Sequence, residues 1–169
     1  MNIKTFYLNN EKTVLMKAYL LGQVESIEWC KKRPAILILP GGGYEFLSER
    51  EAEPVAMRYL AEGYNAFVLY YTCNQRFPAA FNDAAYALYK IRMRADEFGI
   101  DPDKIAVWGA SAGGHLAGCL ATMWNDENVL DKLGCEGQDI RPDAAILSYP
   151  VISGITNPHK GSFEVLLGD

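Results

Sequence analysis

The sequence predicts an α/β fold, a mostly parallel sheet with helices on both faces. Three observations carry that expectation. From Thr13 to Tyr149, short apolar runs alternate with stretches of helical periodicity, the order from which right-handed crossovers build a parallel sheet. One run, Ala35-Ile36-Leu37-Ile38-Leu39, is apolar at every position, as a strand buried on both faces must be. The 169 residues are 50% apolar and 22% charged, which suits one globular domain with a substantial core and leaves too little chain for two. No internal repeat, low-complexity tract or linker interrupts residues 1–169, so a single domain is expected.

The elements follow in order. Thr13–Leu21 reads as a first strand and Ala35–Leu39 as the next, closed by Pro40 and three glycines. Ala52, Val55, Ala56, Tyr59 and Leu60 share one helical face, and Gly63 is placed to end that helix. Its start has two candidates: Ser48 and Glu51 fit a capping box, whereas Pro54 suits a first helical turn. Asn65–Tyr71, rich in aromatic and branched residues, is a strand. Phe77-Pro78 opens one long helix with Ala80, Ala84, Ala87, Leu88, Ile91, Ala95 and Phe98 as its stripe, stopped by Gly99. Asp101-Pro102-Asp103 reads as a turn and Lys104–Trp108 as a strand. A third helix carries Ala112, Leu116, Cys119, Leu120 and Met123. Asn125–Asp143 is polar and reads mostly as loop, with one helical turn at Val129–Leu133, and Ala144–Tyr149 is the last strand.

Charge and cysteine usage remove whole classes of function. A net charge of −5 argues against a nucleic-acid or anionic-membrane partner, which needs a basic face. No apolar stretch approaches the ~18–20 residues of a membrane span. Met1–Lys12 carry charge and asparagine where a signal peptide has an apolar core, so a cytoplasmic location is expected. Cys30, Cys73, Cys119 and Cys135 form no Cys-x-x-Cys pair and no Cys/His cluster. Reduced thiols used as small apolar residues are expected, with neither zinc nor disulfides.

Chemistry concentrates in two glycine motifs. Gly109-Ala110-Ser111-Ala112-Gly113 is a G-x-S-x-G pattern in the strand–turn–helix setting of a nucleophile elbow. There the turn strains the serine backbone, and its oxygen stands at the carboxyl end of the sheet above the positive end of a helix. Alone, those five residues also fit a small-residue turn that lets a helix pack closely on a strand. Pro40-Gly41-Gly42-Gly43-Tyr44 weighs against that, because it follows an earlier strand as a loop of oxyanion-binding glycines does. It lacks both the G-x-G-x-x-G spacing and the lysine of phosphate-binding loops.

With these stretches, with Phe77-Pro78-Ala79-Ala80 and Asp83, with His115-Leu116-Ala117 after the elbow, and with Arg141–Pro150, the chain resembles the α/β-hydrolase superfamily. Its closest likeness is to hormone-sensitive-lipase-like and acetyl-xylan-esterase-like carboxylesterases. Pro40 stands where many such lipases have a non-catalytic histidine before the glycines. The resemblance implies Ser111 as the acyl-accepting nucleophile and the backbone N–H groups of Gly42, Gly43 and Ala112 as the oxyanion hole. It implies a small-molecule ester substrate, such as acetyl groups on a carbohydrate, and no metal or organic cofactor. Tyr44, Phe46, Tyr71 and Phe77 flank the expected site and are candidates to line an acyl or sugar pocket, Tyr44 foremost as a substrate-binding residue, with aromatic core packing at least as good a reading for each of the four.

The triad is where the pattern breaks. The family order is serine, then acid, then histidine, each on a later loop. His115 lies one turn below Ser111 on the same helix, so a structural role is expected for it. His159 follows the last strand and is a weak candidate for the base. Asp143 introduces a strand and is expected to bond a turn. Asp126, Asp131 and Asp139 are expected on a solvated surface, and Asp169 is the terminal residue. The chain therefore reads as the N-terminal two-thirds of an esterase, with later strands missing and Ala144–Tyr149 left as an edge open to a second copy or a complementing chain. A non-catalytic module is the rival reading.

Overall fold

A computed structural model describes residues 1–28 and 31–168, so Cys30 and Asp169 lie outside the described residues. The central sheet contains β1 (Asn2–Tyr7), β2 (Leu15–Leu20), β3 (Arg33–Leu39), β4 (Asn65–Tyr70), β5 (Ile100–Ala110) and β6 (Ala144–Ser148). Their spatial order is β1-β2-β4-β3-β5-β6. The pairs β4/β3, β3/β5 and β5/β6 are parallel, and β1/β2 and β2/β4 are antiparallel. The helices are α1 (Glu53–Ala61), α2 (Ala79–Met93), α3 (Ala95–Phe98), α4 (Ala112–Thr122), α5 (Glu127–Leu133), α6 (Gly137–Ile140) and α7 (Lys160–Leu167). None of the described helices is long and apolar enough to cross a membrane.

Strand β3 shows why its sequence is apolar throughout. Side chains alternate across a strand, and here Ala35, Leu37 and Leu39 enter the core under α2 and α4, while Ile36 and Ile38 enter the opposite core under α1. Leu88 and Ile91 of α2 and Leu116 and Leu120 of α4 fill the first core; Ala56 and Leu60 of α1 fill the second. Burying each large aliphatic side chain stabilises the fold by about 1.5–3 kcal/mol. Cys73, Cys119 and Cys135 pack against the first core, as small apolar residues do. By contrast β6 is the outer strand, with Ile146 and Leu147 each 40% exposed.

Besides α7, which the sequence reading does not contain, the structure departs from that reading in four places. Strand β1 was not expected, because its Asn, Lys and Thr break any apolar alternation; it pairs along one edge and is half exposed. The long helix ends at Arg94, whose φ of −110° and ψ of 24° leave the helical region, giving separate α2 and α3. Arg94 binds both carboxylate oxygens of Glu97 at 2.8 Å and lies over the Phe6 and Phe98 rings, which hold that break. The Asp101–Asp103 turn is absorbed into β5 as an irregularity: β3 advances from Arg33 to Ala35 while β5 advances from Ile100 to Ile105, and Asp101 Oδ1 accepts from the Asp103 N–H at 3.1 Å. Finally, the polar stretch forms two helices, not one turn. Asp126 caps α5 by accepting from the Val129 N–H, and Asp139 accepts from the Glu136 N–H in a capping box before α6. Both aspartates were expected merely to be solvated; only Asp131 is fully so.

Candidate active site

Ser111 sits between β5 and α4 with φ 52° and ψ −119°, the left-handed region that L residues enter only under constraint. The constraints are visible. A Cβ on Gly109 would lie 2.0 Å from the Gly113 carbonyl oxygen, and one on Gly113 would lie 2.0 Å from the Leu39 oxygen. The glycines therefore let β5, α4 and β3 meet closely enough to force the turn. Ser111 N–H donates to Ser148 O at 3.0 Å, while Ser111 O accepts from His115 N and Val151 N, tying the elbow to α4 and to the chain after β6.

The loop after β3 faces it. Gly42, with φ 136°, has no room for a Cβ, which would lie 2.0 Å from Phe46 O. Its carbonyl accepts from Glu45 N and Phe46 N, closing a tight turn. Gly42, Gly43 and Ser111 line one cleft of about 450 Å³ with Glu45, Phe46, Ser48, Arg50, Glu51, Tyr149 and His159. Among the described residues, the N–H groups of Gly42 and Gly43 and the Ser111 hydroxyl have no hydrogen-bond partner. As the first residue of α4, Ala112 also has an N–H with no partner in its own helix. The Gly41 N–H is different: it donates to Glu51 Oε2 at 2.8 Å.

Tyr44, expected in the substrate pocket, lies behind it. Its side chain is 3% exposed and its hydroxyl meets His115 Nδ1 at 2.8 Å, so the residue pins the glycine loop to α4 and does not face the cleft. Tyr71 is likewise buried and donates to Pro40 O at 2.6 Å. Phe46 does line the cleft, whereas Phe77 lines a separate depression against α5. His115 has the structural role expected of it, packed edge-on against Tyr44 and Phe163. Asp143 accepts from Ile105 N at 2.8 Å and from Arg92 Nη2 at 3.1 Å, bonding the turn it was expected to bond. Asp83 accepts from the Thr72 N–H just beyond β4.

His159 does reach the cleft, as N-cap of α7, an element the sequence reading missed. Its Nδ1 lies 2.8 Å from Ser162 Oγ and accepts from the Ser162 N–H at 3.3 Å. A ring that accepts at Nδ1 carries a proton on Nε2, so as placed it has no open lone pair with which to act as a base. Sequence reasoning also missed Glu51, which it weighed only as half of one of two helix starts; α1 takes the other, with Pro54 in its first turn. Glu51 forms no cap, and with Tyr149 and Arg50 it makes one wall of the cleft.

The family profile described as BD-FAE matches residues 27–154. The chain belongs to the BD-FAE family. Members of that family are carboxylic ester hydrolases. This BD-FAE chain is 43% identical to MGS-M1, an alpha/beta hydrolase enzyme from a Medee basin deep-sea metagenome library, with a TM-score of 0.79 over 94% of this chain and 60% of that one. It superposes with a TM-score of 0.83, at 33% identity, on an acetyl ester-xyloside bifunctional hydrolase from Caldicellulosiruptor lactoaceticus, covering 98% of this chain and 64% of the other. It is 38% identical over 144 residues to endo-1,4-beta-xylanase B of Butyrivibrio fibrisolvens, covering 81% of this chain and 22% of that protein. The fold is thus the α/β-hydrolase fold, and the chain spans less than two-thirds of each of these relatives.

Burial holds the His115 imidazole below its ordinary pKa, and Tyr44, Cys119 and Phe163 around it bring no countercharge. A base whose folded pKa lies below its unfolded value stabilises the fold fully above about pH 6.5, and stability falls as pH drops below that. Unfolding temperatures taken between about pH 8 and pH 5 should decline, and the decline should be smaller in His115→Gln. Equal slopes in the two proteins would show that His115 pays no penalty for charging.

Proposed function

We propose that this BD-FAE chain carries the nucleophile and oxyanion hole of a serine carboxylic-ester hydrolase acting on short acyl groups, with acetyl esters of carbohydrates as the substrate class. The observation supporting it is that Ser111, on a strained backbone, lines one cleft with Gly42 and Gly43, and that the serine hydroxyl and both glycine N–H groups have no partner among the described residues. In this reading Ser111 Oγ attacks the ester carbonyl carbon, and the N–H groups of Gly42, Gly43 and Ala112 hold the resulting oxyanion. Collapse breaks the bond to the alcohol, which leaves with the proton Ser111 gave up; water then cleaves the acyl-serine, releasing the acid and returning a proton to Ser111. Each such donor is worth about 3–4 kcal/mol of barrier in comparable sites. The sugar-ester class is supported by the acetyl ester-xyloside hydrolase among the relatives and by a cleft whose polar wall suits a hydroxylated alcohol. Acetate release from acetylated xylo-oligosaccharides should be detectable and should vanish in Ser111→Ala. Release that persists in that variant would overturn the reading.

The reading extends to the sheet edge. With β6 outermost and its apolar residues partly bare, we propose that the 144–149 edge pairs with further chain, and that residues 1–169 alone self-associate through it. Light scattering should give a mass above the monomer; a monodisperse monomer at high concentration would count against it.

A further inference from the structure

Glu51 is a carboxylate only 6% exposed, in a wall of the cleft that holds Ser111. Removing a carboxylate from water costs several kcal/mol, which a close cation normally offsets. Here the nearest cation, Arg50 Nε, is 3.7 Å away on a side chain 87% exposed. The two oxygens are instead held by uncharged donors: Oε2 by the Gly41 N–H at 2.8 Å and Oε1 by the Tyr149 hydroxyl at 2.7 Å. Those donors belong to the two loops that frame the cleft, one leading into Gly42 and Gly43, the other following β6. At Gly41 the position of a Cβ would be 2.7 Å from Glu51 Oε2 and 3.0 Å from Ser111 Cβ, so carboxylate, loop and serine meet at one point.

We infer that Glu51 is a positioning residue, resting on the esterase reading above: by occupying the Gly41 N–H it sets the turn that aims the next two N–H groups at the oxyanion. Because buried ions in general add little to stability over apolar replacements, one that bridges two site loops is better accounted for by geometry at the site than by folding. Glu51 touches no reacting atom. Its removal lowers the rate at which Ser111 reaches an oxyanion-bearing state, and leaves encounter with the reagent unchanged.

Saturation kinetics of fluorophosphonate labelling of the 169-residue chain test this, because the phosphonyl oxygen takes the oxyanion's place. Glu51→Ala and Glu51→Asp, which loses reach and keeps charge, should lower the maximal labelling rate constant by about 10–100-fold with half-saturation unchanged. Glu51→Gln, whose amide oxygen accepts from Gly41 and whose NH₂ donates to Tyr149, should recover most of the rate. Unfolding of a variant would reduce the labelled fraction and leave the rate constant of the folded remainder intact, so the two effects separate. Folded Glu51→Ala or Glu51→Asp at the parent rate, or Glu51→Gln as slow as Glu51→Asp, would overturn the inference. Absence of labelling at Ser111 in the parent would instead overturn the esterase reading on which it rests.

Discussion

Replacing Gly113 by alanine should cost about 4 kcal/mol or more, a large share of the roughly 5–15 kcal/mol that holds a domain of this size together. The new Cβ would lie 2.0 Å from Leu39 O and 2.6 Å from Pro40 O, both backbone atoms, so α4 would have to lift from the end of β3. Those same backbone segments place Ser111 opposite the glycine loop, so the variant should lose its cooperative unfolding transition and its site together. Gly118, in the same helix, is the control. A Cβ there meets only Leu147 Cδ1, at 3.7 Å, and Gly118→Ala should gain up to about 1 kcal/mol from helix propensity. Chemical denaturation of the two variants side by side checks the contrast; a stable, two-state Gly113→Ala protein would show that the elbow is looser than this packing implies.

The 169-residue chain should turn over p-nitrophenyl acetate slower than an intact triad enzyme by on the order of 10⁴–10⁶. The sequence contains two histidines, and both are accounted for. His115 is committed to Tyr44 behind the glycine loop, and His159 accepts from the Ser162 N–H at Nδ1, the nitrogen that would have to carry the proton for Nε2 to act as a base. On the esterase reading proposed above, with neither described histidine placed as a base, Ser111 would attack as a neutral alcohol aided by the oxyanion donors alone. Steady-state assay of the purified chain decides it. Turnover of about ten per second, typical of a competent enzyme, abolished by Ser111→Ala, would show that His159 rearranges to serve as base.

How far the sequence carries depends on whether a feature is local. The Ser111 elbow was legible because its glycines and its strand–helix setting lie within five residues, and the steric demands that place glycine at 109 and 113 act on backbone a few ångströms away. The apolar β3 run was legible because burial on both faces leaves a pattern that no exposed strand shows. The sequence left Tyr44 open between pocket and core, since nothing within Gly43-Tyr44-Glu45 says that the ring turns inward to His115, 71 residues away. The same holds for Glu51, whose partners Gly41 and Tyr149 are joined only by the sheet order β3-β5-β6. Locally, Glu51 stands among Glu49, Arg50 and Glu53 and looks like any solvated acid at a helix start. Strand β1 and α7 went unseen because their exposed faces carry no periodicity strong enough to stand out.

The central claim is that Ser111 is the nucleophile of this BD-FAE chain, and one measurement reaches it directly. The chain is treated with a fluorophosphonate probe, digested, and the adduct located by mass spectrometry. The predicted result is a single modified peptide with the phosphonyl group on Ser111, absent in Ser111→Ala while that variant keeps the parent's unfolding temperature. An adduct on any other hydroxyl, or labelling undiminished in Ser111→Ala, would contradict the account.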